Sequence, residues 1–94
     1  MREEDPVVKW RLVYTRQALR DAEKLAAAGL KDKALQLLEI LAHDPFQSPP
    51  RFEKLVGDLS GAYSRRINIR HRLVYEIIEA RRVVKIIRLW SHYE

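Results

Sequence analysis

The stretch YSRRINIRHRLVYEIIEARRVVKIIRLW, residues 63–90, decides the fold. It holds three runs rich in β-branched and aromatic residues: Tyr63 to Ile67, His71 to Ile78, and Val83 to Trp90 or slightly beyond. Such residues fit a pleated, half-buried surface, and the short connections Asn68–Arg70 and Glu79–Arg82 suit hairpins. The runs therefore predict an antiparallel meander. Side chains alternate along a strand, so if Leu73, Tyr75 and Ile77 face inward, Arg72, Val74 and Glu76 face outward. Arg66 then lies near Arg72 across the hairpin, and Arg88, Trp90 and His92 share one parity in the last run. On this reading arginines, a histidine and a tryptophan border one concave face. The apolar run from Val83 to Trp90 does not declare by itself which of its faces is buried.

Working outward, Asp44 to Pro50 carries several prolines and predicts an extended loop, since each proline restricts the residue before it. Glu53-Lys54-Leu55 suits a short edge segment, and Gly57 to Gly61 is rich in turn residues. Lys9 to Tyr14 alternates polar with apolar and predicts a first strand. Thr15 is a natural helix N-cap, followed by Ala18, Ala22, Leu25 and Ala26 at helical spacing until Gly29. Lys31 to His43 predicts a second helix with Ala34, Leu37, Leu38 and Leu41 as its apolar stripe. The order specifies an α+β fold: an N-terminal strand, then a two-helix hairpin packed on one face of a mostly antiparallel sheet. The acidic segment at residues 1–8 reads as a flexible extension, and residues 9–94 as a single domain.

Ninety-four residues build one modest core. There is no cysteine, and the three histidines, His43, His71 and His92, are scattered. No metal-ligand spacing, targeting segment or membrane-length apolar stretch is present, so the expectation is a cytoplasmic protein with metal-free chemistry and no cofactor. The net charge of +5 is unevenly placed. Residues 1–50 hold eight Lys/Arg against eight Asp/Glu, and residues 51–94 hold ten against five. A basic half suits a polyanionic partner, and equally a solvated surface with no ligand.

Metal-free cleavage of an RNA phosphodiester needs a base for the ribose 2′-OH, cations for the phosphorane and an acid for the leaving 5′-oxygen. Glu53 is a candidate base, Arg72 and Arg66 a candidate phosphate clamp, and His92 a candidate acid, while Tyr93 or Trp90 can stack on a base. Each also has a plainer reading. Glu53 beside Lys54 suits a surface carboxylate, His92 an exposed imidazole, and Tyr93 and Trp90 packing. Arg65, Arg66, Arg70 and Arg72 also suit a hairpin kept soluble by charge.

The segments Leu59-Ser60-Gly61-Ala62-Tyr63-Ser64-Arg65-Arg66-Ile67 and His71-Arg72-Leu73-Val74-Tyr75, with the terminal His92-Tyr93, resemble the YoeB/Txe toxins of the RelE superfamily. The helical hairpin and Asp44-Pro45-Phe46 agree, so the resemblance spans roughly residues 9 to 94. It implies a fold like microbial ribonucleases and a toxin that cuts messenger RNA in the ribosomal A site. It further implies neutralisation by a YefM-like antitoxin, with assembly as a homodimer or a toxin–antitoxin heterocomplex. By resemblance Glu53 is the base, Arg72 the central arginine and His92 with Tyr93 the catalytic terminus. Arg65, Arg66, Lys54 and Arg88 are the expected RNA-binding set. The chain departs from the family pattern at Leu89-Trp90-Ser91, where many relatives carry Cys-Arg-Tyr, and Arg88 is expected to compensate from the same face. It departs again at Val56, where a lysine is usual, with Lys54 as the expected substitute. Two other readings stay open: a non-catalytic toxin on the same scaffold, of the gyrase-poisoning type, and a non-catalytic RNA-binding module.

Overall fold

The computed structural model describes residues 9–92, apart from the side chains of Ser91 and His92. The extension expected at residues 1–8 lies outside the described residues. The elements are β1 (Arg11–Tyr14), α1 (Arg16–Ala27), α2 (Lys31–His43), β2 (Glu53–Lys54), β3 (Tyr63–Arg66), β4 (His71–Ile78) and β5 (Val83–His92). Short 3-10 turns at Gly57–Leu59 and Glu79–Arg81 join β2 to β3 and β4 to β5. The five strands form one sheet in the order β1-β5-β4-β3-β2. All neighbours are antiparallel except β1, which runs parallel to β5. The helical hairpin carries the chain from β1 at one edge of the sheet to β2 at the other, and the meander then returns to set β5 beside β1.

Thr15 starts α1 in the expected way, its hydroxyl oxygen accepting from the Ala18 amide at 3.0 Å. The same hydroxyl donates to the Ile87 carbonyl at 2.8 Å and so ties the cap to the sheet. Gly29, at φ +76°, ends the helix in the left-handed region, while the Leu30 amide returns to the Leu25 carbonyl at 2.9 Å. The core forms where Ala18 and Leu25 of α1 and Ala34, Leu37, Leu38 and Leu41 of α2 meet Leu73, Tyr75, Val84, Ile86 and Leu89. Removing several methylenes there, as in Leu41→Ala, costs about 2–5 kcal/mol.

The α1 stripe departs from the apolar spacing in one respect. Ala22 and Ala26 are exposed, and the residue buried between Ala18 and Leu25 is Asp21. The reason lies in β5. Strand β1 pairs with it only as far as Ile86, so beyond that point β5 has no strand on its β1 side. Asp21 Oδ2 accepts from the amides of Leu89 and Trp90, at 2.9 and 3.2 Å, and thereby continues the sheet edge with a side chain.

The β4–β5 ladder is irregular, with register shifts between Arg72 and Val74 and between Val74 and Tyr75. The extra residues lie on β5, since Tyr75 faces Ile86, Val74 faces Arg88 and Arg72 faces Ser91. On the face away from the helices, Ser64 and Val74 are buried, although Val74 was expected on an open surface. Both are small, and longer neighbours such as Glu53, Arg66, Arg72 and Glu76 ring them, so no second layer is required to cover them.

Candidate active site

Alternation along β2, β3 and β4 sorts the candidate residues onto two faces. Glu53 stands opposite Ser64, Ser64 opposite Val74, and Arg66 opposite Arg72, so these side chains share the face away from the helices. A cleft of about 270 Å³ opens there, lined by Pro50, Arg51, Glu53, Ser64 and Arg66. Glu53 Oε2 lies 3.8 Å from an Arg51 guanidinium nitrogen, and both side chains are solvent-accessible. Arg66 donates to the Ile69 carbonyl at 3.5 Å, which leans it along its own hairpin. Arginines directly opposite each other on one face repel, and a phosphate between them relieves that repulsion. The site therefore offers a solvated carboxylate beside a row of guanidinium groups.

Arg51 and Ser64 were missed by the sequence reading. Arg51 stands two residues before Glu53, and the period of an extended segment puts the two on one face; that signal was present. Ser64 was quoted only as part of a motif. Its hydroxyl is buried without a hydrogen-bond partner, which no sequence pattern announces.

Four expected members stand elsewhere. Arg65 is turned to the helix side and is 1% exposed. Its Nε donates to the Tyr75 hydroxyl at 2.9 Å, Nη1 to the Pro50 carbonyl at 2.6 Å and Nη2 to the Pro45 carbonyl at 3.0 Å. The guanidinium also lies over the Phe52 ring, 4.7 Å from its centroid. Bonded at all three nitrogens and buried, Arg65 fixes the proline-rich loop that leads into Glu53 and is not accessible to an RNA. Tyr75 is buried, which pushes its hydroxyl pKa up despite the lowering influence of Arg65.

The register shift between Ile86 and Arg88 breaks the alternation of β5, and Arg88 reaches across to α1. Its Nε meets Asp21 Oδ2 at 2.8 Å. It therefore does not compensate for the departure at Leu89-Trp90-Ser91; it is the counter-ion of a buried carboxylate. Burial alone raises the pKa of Asp21. Hydrogen bonds from Arg88, the Leu89 amide and Gln17, with the Arg88 charge, outweigh burial and hold it below the ordinary aspartate value. Trp90, expected at the open face, instead stacks on His71, with ring centroids 3.8 Å apart and planes 20° from parallel. Lys54 stands opposite Tyr63, on the face away from Glu53, and does not join the cleft.

His92 pairs with His71 in the β4–β5 register, and Ser91 pairs with Arg72. The backbone of the candidate acid is thus one residue from the candidate clamp. Its side chain, and all of Tyr93, lie outside the described residues. Among the described residues no three His, Cys, Asp or Glu side chains gather as metal ligands, and no helix is long and apolar enough to cross a membrane.

Comparison with known proteins places this geometry among relatives. Residues 14–93 match the model of a family described as YoeB-like toxins of bacterial type II toxin–antitoxin systems. A toxin YoeB from Synechocystis sp. is 47% identical over 58 residues, which cover 62% of this chain and 65% of that toxin. The chain thus matches slightly less than two thirds of that relative's length. A YoeB/ParE toxin from Agrobacterium tumefaciens superposes with a TM-score of 0.78 at 30% identity, over 88% of this chain and 99% of that one. A Staphylococcus aureus YoeB, solved in a heterotetrameric YoeB–YefM complex, superposes with a TM-score of 0.74 at 30% identity, over 89% and 98%. A YoeB from Staphylococcus aureus was also solved as a dimer, with a TM-score of 0.75 at 30% identity.

Proposed function

This chain belongs to the YoeB-like toxins of bacterial type II toxin–antitoxin systems, and on that premise we propose that it is a ribosome-dependent messenger-RNA endonuclease. The reading rests on one observation above the others: strand register gathers Glu53, Arg66 and Arg72 on one face, with the backbone of His92 beside them. Glu53 removes the proton of the ribose 2′-OH, and that oxygen attacks the adjacent phosphorus. Arg72 and Arg66 hold the non-bridging oxygens as negative charge grows on the phosphorane. His92 gives a proton to the departing 5′-oxygen, leaving a 2′,3′-cyclic phosphate and a 5′-OH end. Tyr93, next to the acid, stacks on a base of the substrate. Arg51, 3.8 Å from Glu53, supplies the cation that the family pattern carries at the position of Val56.

The substrate is messenger RNA in the A site of the 70S ribosome, which places the activity in the cytoplasm. A YefM-like antitoxin, acidic where this sheet face is basic, holds the toxin inactive, and the assembled states are a toxin–antitoxin heterocomplex and a homodimer. Primer extension on a messenger RNA in a translating extract, with and without ribosomes, tests the reading. Wild-type protein cuts only when ribosomes translate, and Glu53→Gln and His92→Gln each lower the single-turnover rate by roughly 10²- to 10⁴-fold without unfolding the chain. Cutting at the wild-type rate by both variants, or no ribosome-dependent cutting by the wild type, refutes it.

A further inference from the structure

Ser64 is the one residue of the cleft whose polar atom has no evident role. It sits on β3, opposite Glu53 of the short edge strand β2 on one side and Val74 on the other, and is 1% exposed. Its hydroxyl oxygen is buried without a hydrogen-bond partner. Leaving a hydroxyl in that condition is unfavourable, and Ala at the same place avoids it. Directly opposed residues in an antiparallel pair have their Cβ atoms roughly 4.5–5.5 Å apart. A glutamate side chain bridges that gap with its carboxylate within hydrogen-bond reach of a serine hydroxyl. In the ligand-free protein the Glu53 carboxylate is instead turned outward to Arg51 at 3.8 Å, in contact with water.

We propose that Ser64 is a positioning residue for Glu53: its hydroxyl donates to the Glu53 carboxylate when substrate covers the cleft. This rests on the reading of Glu53 as the base. An RNA strand seated in the cleft takes water from the carboxylate and draws Arg51 toward phosphate. Desolvation alone would then favour the protonated acid, which is useless as a base. The buried hydroxyl replaces the lost water, keeps the carboxylate ionised and fixes the oxygen that faces the 2′-OH. The unfilled bond of the free protein is completed on binding.

Single-turnover cleavage of ribosome-bound messenger RNA across pH 5 to 8.5 tests this with Ser64→Ala, Ser64→Cys and Ser64→Thr. Ser64→Ala removes the donor, and Ser64→Cys keeps the shape with a somewhat larger, weakly donating thiol. Both are expected to cut about tenfold or more slowly at neutral pH, as fits loss of a hydrogen bond to a charged group. The acid limb of their pH–rate profiles moves to higher pH, because the base is harder to keep ionised. Their thermal midpoints do not fall. Ser64→Thr keeps the hydroxyl and with it the wild-type acid limb. An unmoved acid limb in both Ser64→Ala and Ser64→Cys overturns the proposal, as does a rate loss that tracks a loss of folded protein. Glu53→Gln, run beside them, separates the two ideas: if it cuts normally, the assignment of the base itself fails.

Discussion

Asp21 and Arg65 carry more of this structure than their positions in the sequence suggest. The Asp21 carboxylate is buried against Arg88 and the Leu89 and Trp90 amides, so Asp21→Ala strands a charge and backbone donors together. Loss of one partner of a buried ion pair costs about 3–5 kcal/mol, and Arg88 is solvated enough to put the cost near the lower end. For a chain of this size the thermal midpoint falls by roughly 10 °C or more, measurable by circular dichroism. The pH dependence has a definite sign. The carboxyl pKa is depressed in the folded state, so its stabilisation is complete above the unfolded value of about 3.9. It fades as pH falls from there through the folded value. Acid titration of the wild type should therefore show a loss of stability in that window that Asp21→Asn lacks. At Arg65 the fork geometry matters as well as the charge. Lysine cannot reach Tyr75, Pro50 and Pro45 together, so Arg65→Lys should loosen the loop before Glu53 and lower cleavage while leaving the helices folded.

At the scale of elements, the meander and the helical hairpin were legible because their periods are strong and their ends are marked by Thr15, Gly29 and the prolines. β5 was not. Its run from Val83 to Trp90 is apolar on both parities, and the bulges that decide where Arg88 and Trp90 point come from pairing with β4, which is a tertiary matter. Asp21 was hidden for a similar reason, since a charged residue on an apolar stripe is explained only by the amides it meets. The candidate clamp and the candidate base came mainly from family resemblance; register then separated Arg66 from Arg65 and Glu53 from Lys54 by one residue each. Thr15 joins two elements at once, and Thr15→Val keeps its shape but loses the cap and the bond to Ile87. The expected cost is about 1–2 kcal/mol, read as a lower urea midpoint with an unchanged slope.

Across the whole molecule the positive excess sits in residues 51–94, the part that builds β2 to β5. If Arg66 and Arg72 contact phosphate, binding to ribosomes weakens with salt, and each Arg→Gln change reduces the slope of log affinity against log salt by about 0.7–0.9. Arg65→Gln should not change that slope, since its guanidinium is committed inside. The sheet order carries a different consequence. Of the five described strands β5 is the last to be made, yet it lies between β1 and β4 and receives the Thr15 and Asp21 side chains. A nascent chain that has reached only Arg82 has no partner for β1 and no counter-ion for Asp21. The protein therefore acquires its fold only once β5 has been made, so folding of the N-terminal strand and helices cannot run ahead of the synthesis of that strand.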